Sequence, residues 1–114
     1  MKFNVNQKDL QEALSYCQGV IEKRSTLPIL SNVLLDASNS KLTITATDLD
    51  LIFIHNINNV EIFEEGKTTT TSSIMFDIVR KFSSDKKINL FMNNDSKLKL
   101  ESEKSVFNLN CINS

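Results

Sequence analysis

The chain has 114 residues, of which 40% are hydrophobic and 24% charged, with a formal net charge of -1. That is the size of one domain with enough apolar material for a core, which excludes a disordered chain. It also excludes a strongly basic nucleic-acid binder, so any attraction to phosphate has to come from a local patch.

In chain order, "MKFNV" alternates, with Phe3 and Val5 on one face, and reads as a short first strand. Leu10, Ala13, Leu14, Cys17 and Ile21 then recur at helical spacing and predict an amphipathic helix. Asn6 is the predicted N-cap, Asp9 favours the first turn, and Gly19 is expected to end or loosen the helix. Three strands follow, over 27–37, 41–47 and 51–57. The middle one alternates cleanly, and "SNS" before it is a turn.

The same order of elements then recurs. Residues 60–63 read as a strand, "EEGK" as a turn, and 67–71 as a β-branched run. Ser72 or Ser73 is expected to cap a second helix whose apolar stripe is Met75, Ile78, Val79 and Phe82. Three alternating stretches close the chain: 88–92, 97–101 with Leu98 and Leu100 inward, and 106–111 with Phe107, Leu109 and Cys111 inward. Each half thus reads strand, helix, then three strands, which suggests an internal duplication. The predicted class is α+β, with two helices packed on antiparallel sheets.

Catalytic chemistry is thin. His55 stands alone on a strand, with no serine or cysteine tied to it by a nucleophile motif, and reads as a partly exposed surface residue. Asp48 and Asp50 in "TDLD" are two apart, as metal ligands can be, but a turn before a strand is the plainer reading. Gly19 and Gly66 cannot build a phosphate loop. Cys17 and Cys111 fit no metal spacing and read as reduced, buried thiols. "MKFNVNQKDL" lacks a signal-peptide core, and no run approaches membrane-span length. The expectation is a cytoplasmic, non-enzymatic protein without cofactor, metal or small-molecule substrate.

The basic pairs Lys23-Arg24, Arg80-Lys81 and Lys86-Lys87 remain as functional candidates. Solvated surface charge is the default reading of each. The first pair follows the first helix and the second lies near the end of the second helix. If both helices share one face, these two pairs are expected to meet as a positive stripe that holds a nucleic-acid backbone without reading bases.

"RSTLPILSNVLL", "TATDLDL" and "FDIVRKF", together with the start "MKF", resemble the N-terminal domain of the bacterial DNA polymerase III beta subunit, the sliding clamp. The likeness runs over all 114 residues. It implies a DNA-clamp fold with two pseudo-two-fold-related halves. A full subunit carries three such domains, and two subunits close head to tail into a homodimeric ring around duplex DNA. Helices line the hole, sheets form the outer wall, and the polymerase is tethered while the ring slides. Polymerase and clamp loader dock on the domains that follow the first.

Carried over residue by residue, the resemblance makes Arg24, with Lys23, the contact to DNA phosphate, and Arg80 and Lys81 further DNA-facing cations. Pro28, inside the apolar run, starts an outer-wall strand at the corner where the chain leaves the bore, a position that tolerates its missing donor. Lys97 and Lys104 match basic residues that meet the neighbouring subunit, and Phe107 and Leu109 match the apolar part of that contact. There are departures: Ser73 and Ile74 stand where a basic pair opens the second helix, and Val106 where arginine is frequent. They leave an alternative, a stand-alone interaction module that keeps the clamp fold without tethering DNA, with 106–111 as an open sheet edge.

Overall fold

The computed structural model describes residues 1–24, 32–47, 52–92 and 97–111, the side chains of 19–24 excepted. Strand β1 (Lys2–Asn6) points Phe3 and Val5 into the core, as their alternation requires. Helix α1 (Gln7–Arg24) starts directly after Asn6, whose amide donates to the Asp9 carboxylate at 3.4 Å. Leu10, Ala13, Leu14 and Cys17 are fully buried along one stripe. The free N–H of Gln7 is satisfied from outside the helix, by the Lys86 carbonyl at 2.9 Å. Gly19 does not end the helix, which runs on to Arg24. A single glycine costs about 1 kcal/mol relative to alanine, less than the buried stripe returns.

Strands β2 (Asn32–Ser38), β3 (Lys41–Thr47) and β4 (Ile52–Ile57) form an antiparallel meander. The predicted turn between β2 and β3 is there: Asn39 and Ser40 both have positive φ, at 54° and 64°, the pattern of a two-residue type I′ hairpin. The strand predicted over 27–37 is described from Asn32 and extends to Ser38. Its start, including Pro28, lies outside the described residues, as do Asp48, Asp50 and Leu51.

Strands β5 (Val60–Glu64) and β6 (Gly66–Thr71) overturn one expectation. "EEGK" is not a hairpin turn, because β5 pairs with β1 while β6 pairs with β2. Glu65 alone crosses from one sheet to the other. Gly66 is needed at that crossing, since a Cβ there would lie 2.8 Å from the Met1 Cβ. Helix α2 (Ser72–Val79) has Thr71 at the N-cap position with no side-chain cap, so neither Ser72 nor Ser73 caps it. Ser72 is instead the first helical residue, buried, and its hydroxyl donates to Gln18 Oε1 at 3.0 Å. Met75 and Val79 are buried and Phe82 continues their stripe just past the helix.

The chain ends in the meander β7 (Lys87–Met92), β8 (Lys97–Ser102) and β9 (Ser105–Asn110). Leu98, Leu100 and Leu109 face inward, while Phe107 and Cys111 are only half-buried. Cys17 and Cys111 are both free, so of the two predicted buried thiols only Cys17 is fully enclosed.

The sheet orders are β5-β1-β7-β8-β9 and β4-β3-β2-β6. Each sheet therefore joins the leading strand of one half to the three-strand meander of the other: β1 with β7-β8-β9, and β6 with β4-β3-β2. This reciprocal exchange is what the repeated strand–helix–three-strand order produces, and β5 is the element outside it. One core fills the space between helices and sheets, from Phe3, Leu10 and Leu14 through Leu35 and Ile44 to Met75, Leu90 and Leu100.

Candidate nucleic-acid interface

Two contacts set how α1 and α2 lie together. Near the start of α1, the Gln7 amide donates to the Val79 carbonyl at the end of α2, at 2.8 Å. Further along α1, Gln18 receives the hydroxyl of Ser72 at the start of α2. The helices are therefore antiparallel neighbours.

That orientation corrects the expected convergence of the basic pairs. Arg80 and Lys81 follow α2 beside the first turn of α1, whereas Lys23 and Arg24 are the last two residues of α1. At 1.5 Å per residue, Lys23 lies about 24 Å along α1 from Gln7. The pairs share a helical layer and mark its two ends rather than one spot. The side chains of Lys23 and Arg24 lie outside the described residues.

Arg80 is exposed. Its guanidinium lies 3.8 Å from the Asp77 carboxylate and 5.3 Å from the Phe76 ring centroid. An exposed pair at that distance is weak and leaves the cation free to reach solvent or an anion. Lys81 is exposed beside it. Lys86 and Lys87 are differently placed: Lys86 pairs with Glu103 at 3.2 Å and Lys87 with Glu61 at 3.6 Å, so acidic neighbours offset their charge.

Sequence reasoning missed a groove of about 340 Å³ beside α1, lined by Gln7, Lys8, Gln11, Glu12, Ser15 and Ser84. Its polar side chains are uncharged apart from Lys8 and Glu12. No charge pattern in the sequence pointed to it. Ile74, at a position where the resemblance expects a cation, is 47% exposed, and Ser73 is half-buried. The middle of the helical layer is thus less basic than its ends.

Tyr16 is also exposed on α1. Its hydroxyl donates to Glu12 at 3.2 Å, and that bond, reinforced by the carboxylate's charge, raises the phenol above its usual range. Its ring contacts Phe53 and His55 on β4, and His55 stacks on Phe53 with 13° between planes. His55 is thus half-buried among aromatic rings. Among the described residues no group of three or more His, Cys, Asp or Glu side chains is placed to hold a metal ion.

The second predicted site lies at the far edge of the five-stranded sheet. Among the described residues strand β9 pairs with β8 alone, and its other side is open. Phe107, half-buried, packs edge-to-face on Phe82 with centroids 5.5 Å apart, and Leu109 is buried. Lys97 starts β8 opposite Asn110, whereas Lys104 sits in the β8–β9 turn, so these exposed cations flank the two ends of the hairpin. Val106 is 47% exposed between them.

The family model described as DNA polymerase III beta subunit, N-terminal domain, matches residues 1–114. The chain belongs to that family. The beta sliding clamp of Caulobacter vibrioides is 36% identical over 110 residues, covering 96% of this chain and 29% of the relative. That of Escherichia coli K12 is 38% identical over 80 residues, covering 70% of this chain and 22% of the relative. Among solved structures, the DNA polymerase sliding clamp of Caulobacter crescentus superposes with a TM-score of 0.88 at 34% identity, over 100% of this chain and 31% of the clamp. The DNA polymerase III beta subunit of Pseudomonas aeruginosa gives 0.87 at 29% identity, over 98% of this chain and 30% of the subunit. The chain therefore spans under a third of the length of the clamps it matches, and its α+β architecture of two helices and two antiparallel sheets is the clamp fold.

Proposed function

We propose that residues 1–114 act as one domain of a sliding clamp, a non-catalytic processivity factor of DNA replication in the cytoplasm. The observation that carries this reading is the antiparallel helix layer with cations at both ends, in a chain of the clamp family. In this reading the layer faces duplex DNA. Lys23 and Arg24 at one end, and Arg80 and Lys81 at the other, contact phosphates without reading bases.

Such contacts suit sliding. Long side chains meet the backbone, many through water, and no base-specific bond has to break for the ring to move. Closure of the ring, rather than affinity, retains it, so a net charge of -1 is no obstacle. The open edge of β9 supplies the subunit contact, with Phe107 and Leu109 apolar and Lys97 and Lys104 meeting carboxylates of the neighbouring clamp subunit in a head-to-tail homodimer. DNA polymerase III and the clamp loader dock on clamp domains beyond these residues.

The test is a chimera in which this chain replaces the matching domain of the Caulobacter clamp. Loaded on nicked circular DNA, the chimera should stay bound and should run off once the circle is cut. Equal loss from circular and linear DNA would refute the proposal.

The exposed Ile74 favours a second reading, an interaction module with the clamp fold and no DNA tethering. In that case the chimera would form a ring and fail to stay on the circle, and Ile74→Arg would restore retention.

A further inference from the structure

The outer face of the five-stranded sheet carries a feature that the clamp reading does not use. Strand register lines up Glu64, Lys2, Phe91, Lys99 and Asn108 in one row across β5, β1, β7, β8 and β9. Phe91 thus lies directly between two lysines. Beside it the pairing of β5 with β1 slips by one residue: Lys2 faces Glu64 and Phe3 faces Ile62, leaving Phe63 as the extra residue of a bulge. Bulges re-aim side chains, and this one leaves Phe63 58% exposed with the Lys2 ammonium 5.9 Å from its ring centroid. Between Phe63 and Phe91 runs a groove of about 320 Å³, lined also by Lys2, Asn89, Lys99 and Glu101.

We propose that this groove docks an extended segment of a partner protein in which an aromatic side chain has a carboxylate two residues away on either side. The register supplies the reason. Lys2 and Lys99 are two strand spacings apart, about 10 Å. In an extended peptide residues i, i+2 and i+4 share one face, and i and i+4 sit about 13 Å apart, a difference that flexible side chains close. A segment with acids at i and i+4 and an aromatic residue at i+2 thus places its ring against Phe63 and Phe91 and one carboxylate at each lysine. Among the described residues Lys99 is paired only with Glu101, an exposed contact at 3.4 Å that a better-placed carboxylate can replace. Exposed aromatic anchors in a pocket are the usual centre of peptide recognition. Single-stranded nucleic acid also stacks on aromatic rings between cations, but it needs a positive groove that follows the backbone, whereas Glu61, Glu64 and Glu101 interrupt this face and leave Lys2 and Lys99 as two separate cations suited to two discrete carboxylates. This inference stands apart from DNA tethering, because the face is the one turned away from the helices.

The experiment is a ¹⁵N-resolved NMR titration of the chain with acetyl-Asp-Ala-Phe-Ala-Asp-amide. Saturable shifts are expected at Lys2, Phe63, Phe91 and Lys99. Acetyl-Asp-Ala-Ala-Ala-Asp-amide and acetyl-Lys-Ala-Phe-Ala-Lys-amide should each bind about tenfold more weakly. Phe91→Ser should abolish the shifts. Lys99→Gln, which leaves the aromatic pair intact, should weaken the acidic peptide about threefold without affecting the basic one. The absence of saturable shifts at these residues would overturn the proposal, as would equal binding of the basic peptide. Displacement of the acidic peptide by a short oligo-dT would reassign the groove to nucleic acid and overturn it as well.

Discussion

Phe107→Ala separates the two roles that Phe107 holds on β9. Its ring is half-buried and meets Phe82 edge-to-face at 5.5 Å and 80°. A fully buried Phe→Ala change costs roughly 3–5 kcal/mol, and partial exposure reduces this to about 2–3. Of that, the ring pair contributes about 0.5–1.5 kcal/mol. At roughly 4 °C per kcal/mol for a domain of this size, the melting temperature should fall by about 10 °C. The assay is thermal melting followed by circular dichroism on Phe107→Ala, Phe82→Ala and the double variant. Phe82 is only 7% exposed, so its loss should cost more. The double variant should fall short of the sum by about 1 kcal/mol, the coupling of the pair. An unchanged melting temperature for Phe107→Ala, or strict additivity, would refute this account and leave Phe107 as a purely intermolecular residue. If the account holds, loss of subunit association in Phe107→Ala has to be measured well below the lowered transition.

Burial pushes the Cys17 thiol from its ordinary 9.0 to about 11. The unfolded chain then ionises first, so stability conferred by the neutral buried thiol is complete below pH 9 and lost as pH rises towards 11. Urea titrations across that window should show a decline that Cys17→Ala reduces. Arg80→Ala should alter stability by less than about 0.5 kcal/mol, because its pair with Asp77 is exposed. In the chimeric ring, both it and Arg24→Ala should weaken DNA contact and lower the salt dependence by about one charge each, as read by binding at stepped ionic strength. Gly66→Ala should lower the melting temperature by roughly 4–12 °C, since the added Cβ would lie 2.8 Å from Met1 and overpacking costs about 1–3 kcal/mol. A neutral result would show that Met1 simply moves aside.

Periodicity alone determined most of the elements. Leu10, Ala13, Leu14 and Cys17 at helical spacing, and Leu42, Ile44 and Ala46 at alternate positions, admit only one face each, and that face is buried. "SNS" was legible because Asn39 readily takes the positive φ of a tight hairpin, and Ser40 is held in the same conformation beside it. The family was legible in short strings around Arg24, Thr47 and Arg80. What the pattern could not carry was partnership between distant segments. Nothing local in "EEGK" says that β5 leaves for β1 while β6 leaves for β2, because a strand's hydrogen bonds do not depend on its side chains naming a partner. Ser72 looked like a cap, yet tertiary packing buries it against Gln18. The antiparallel setting of α1 on α2 likewise decided that Lys23-Arg24 and Arg80-Lys81 mark opposite ends of one layer. So did the strand register that put Phe91 between Lys2 and Lys99, residues far apart in the chain. Sequence chose the faces through short-range periodicity; the exchange of strands between halves chose which faces meet.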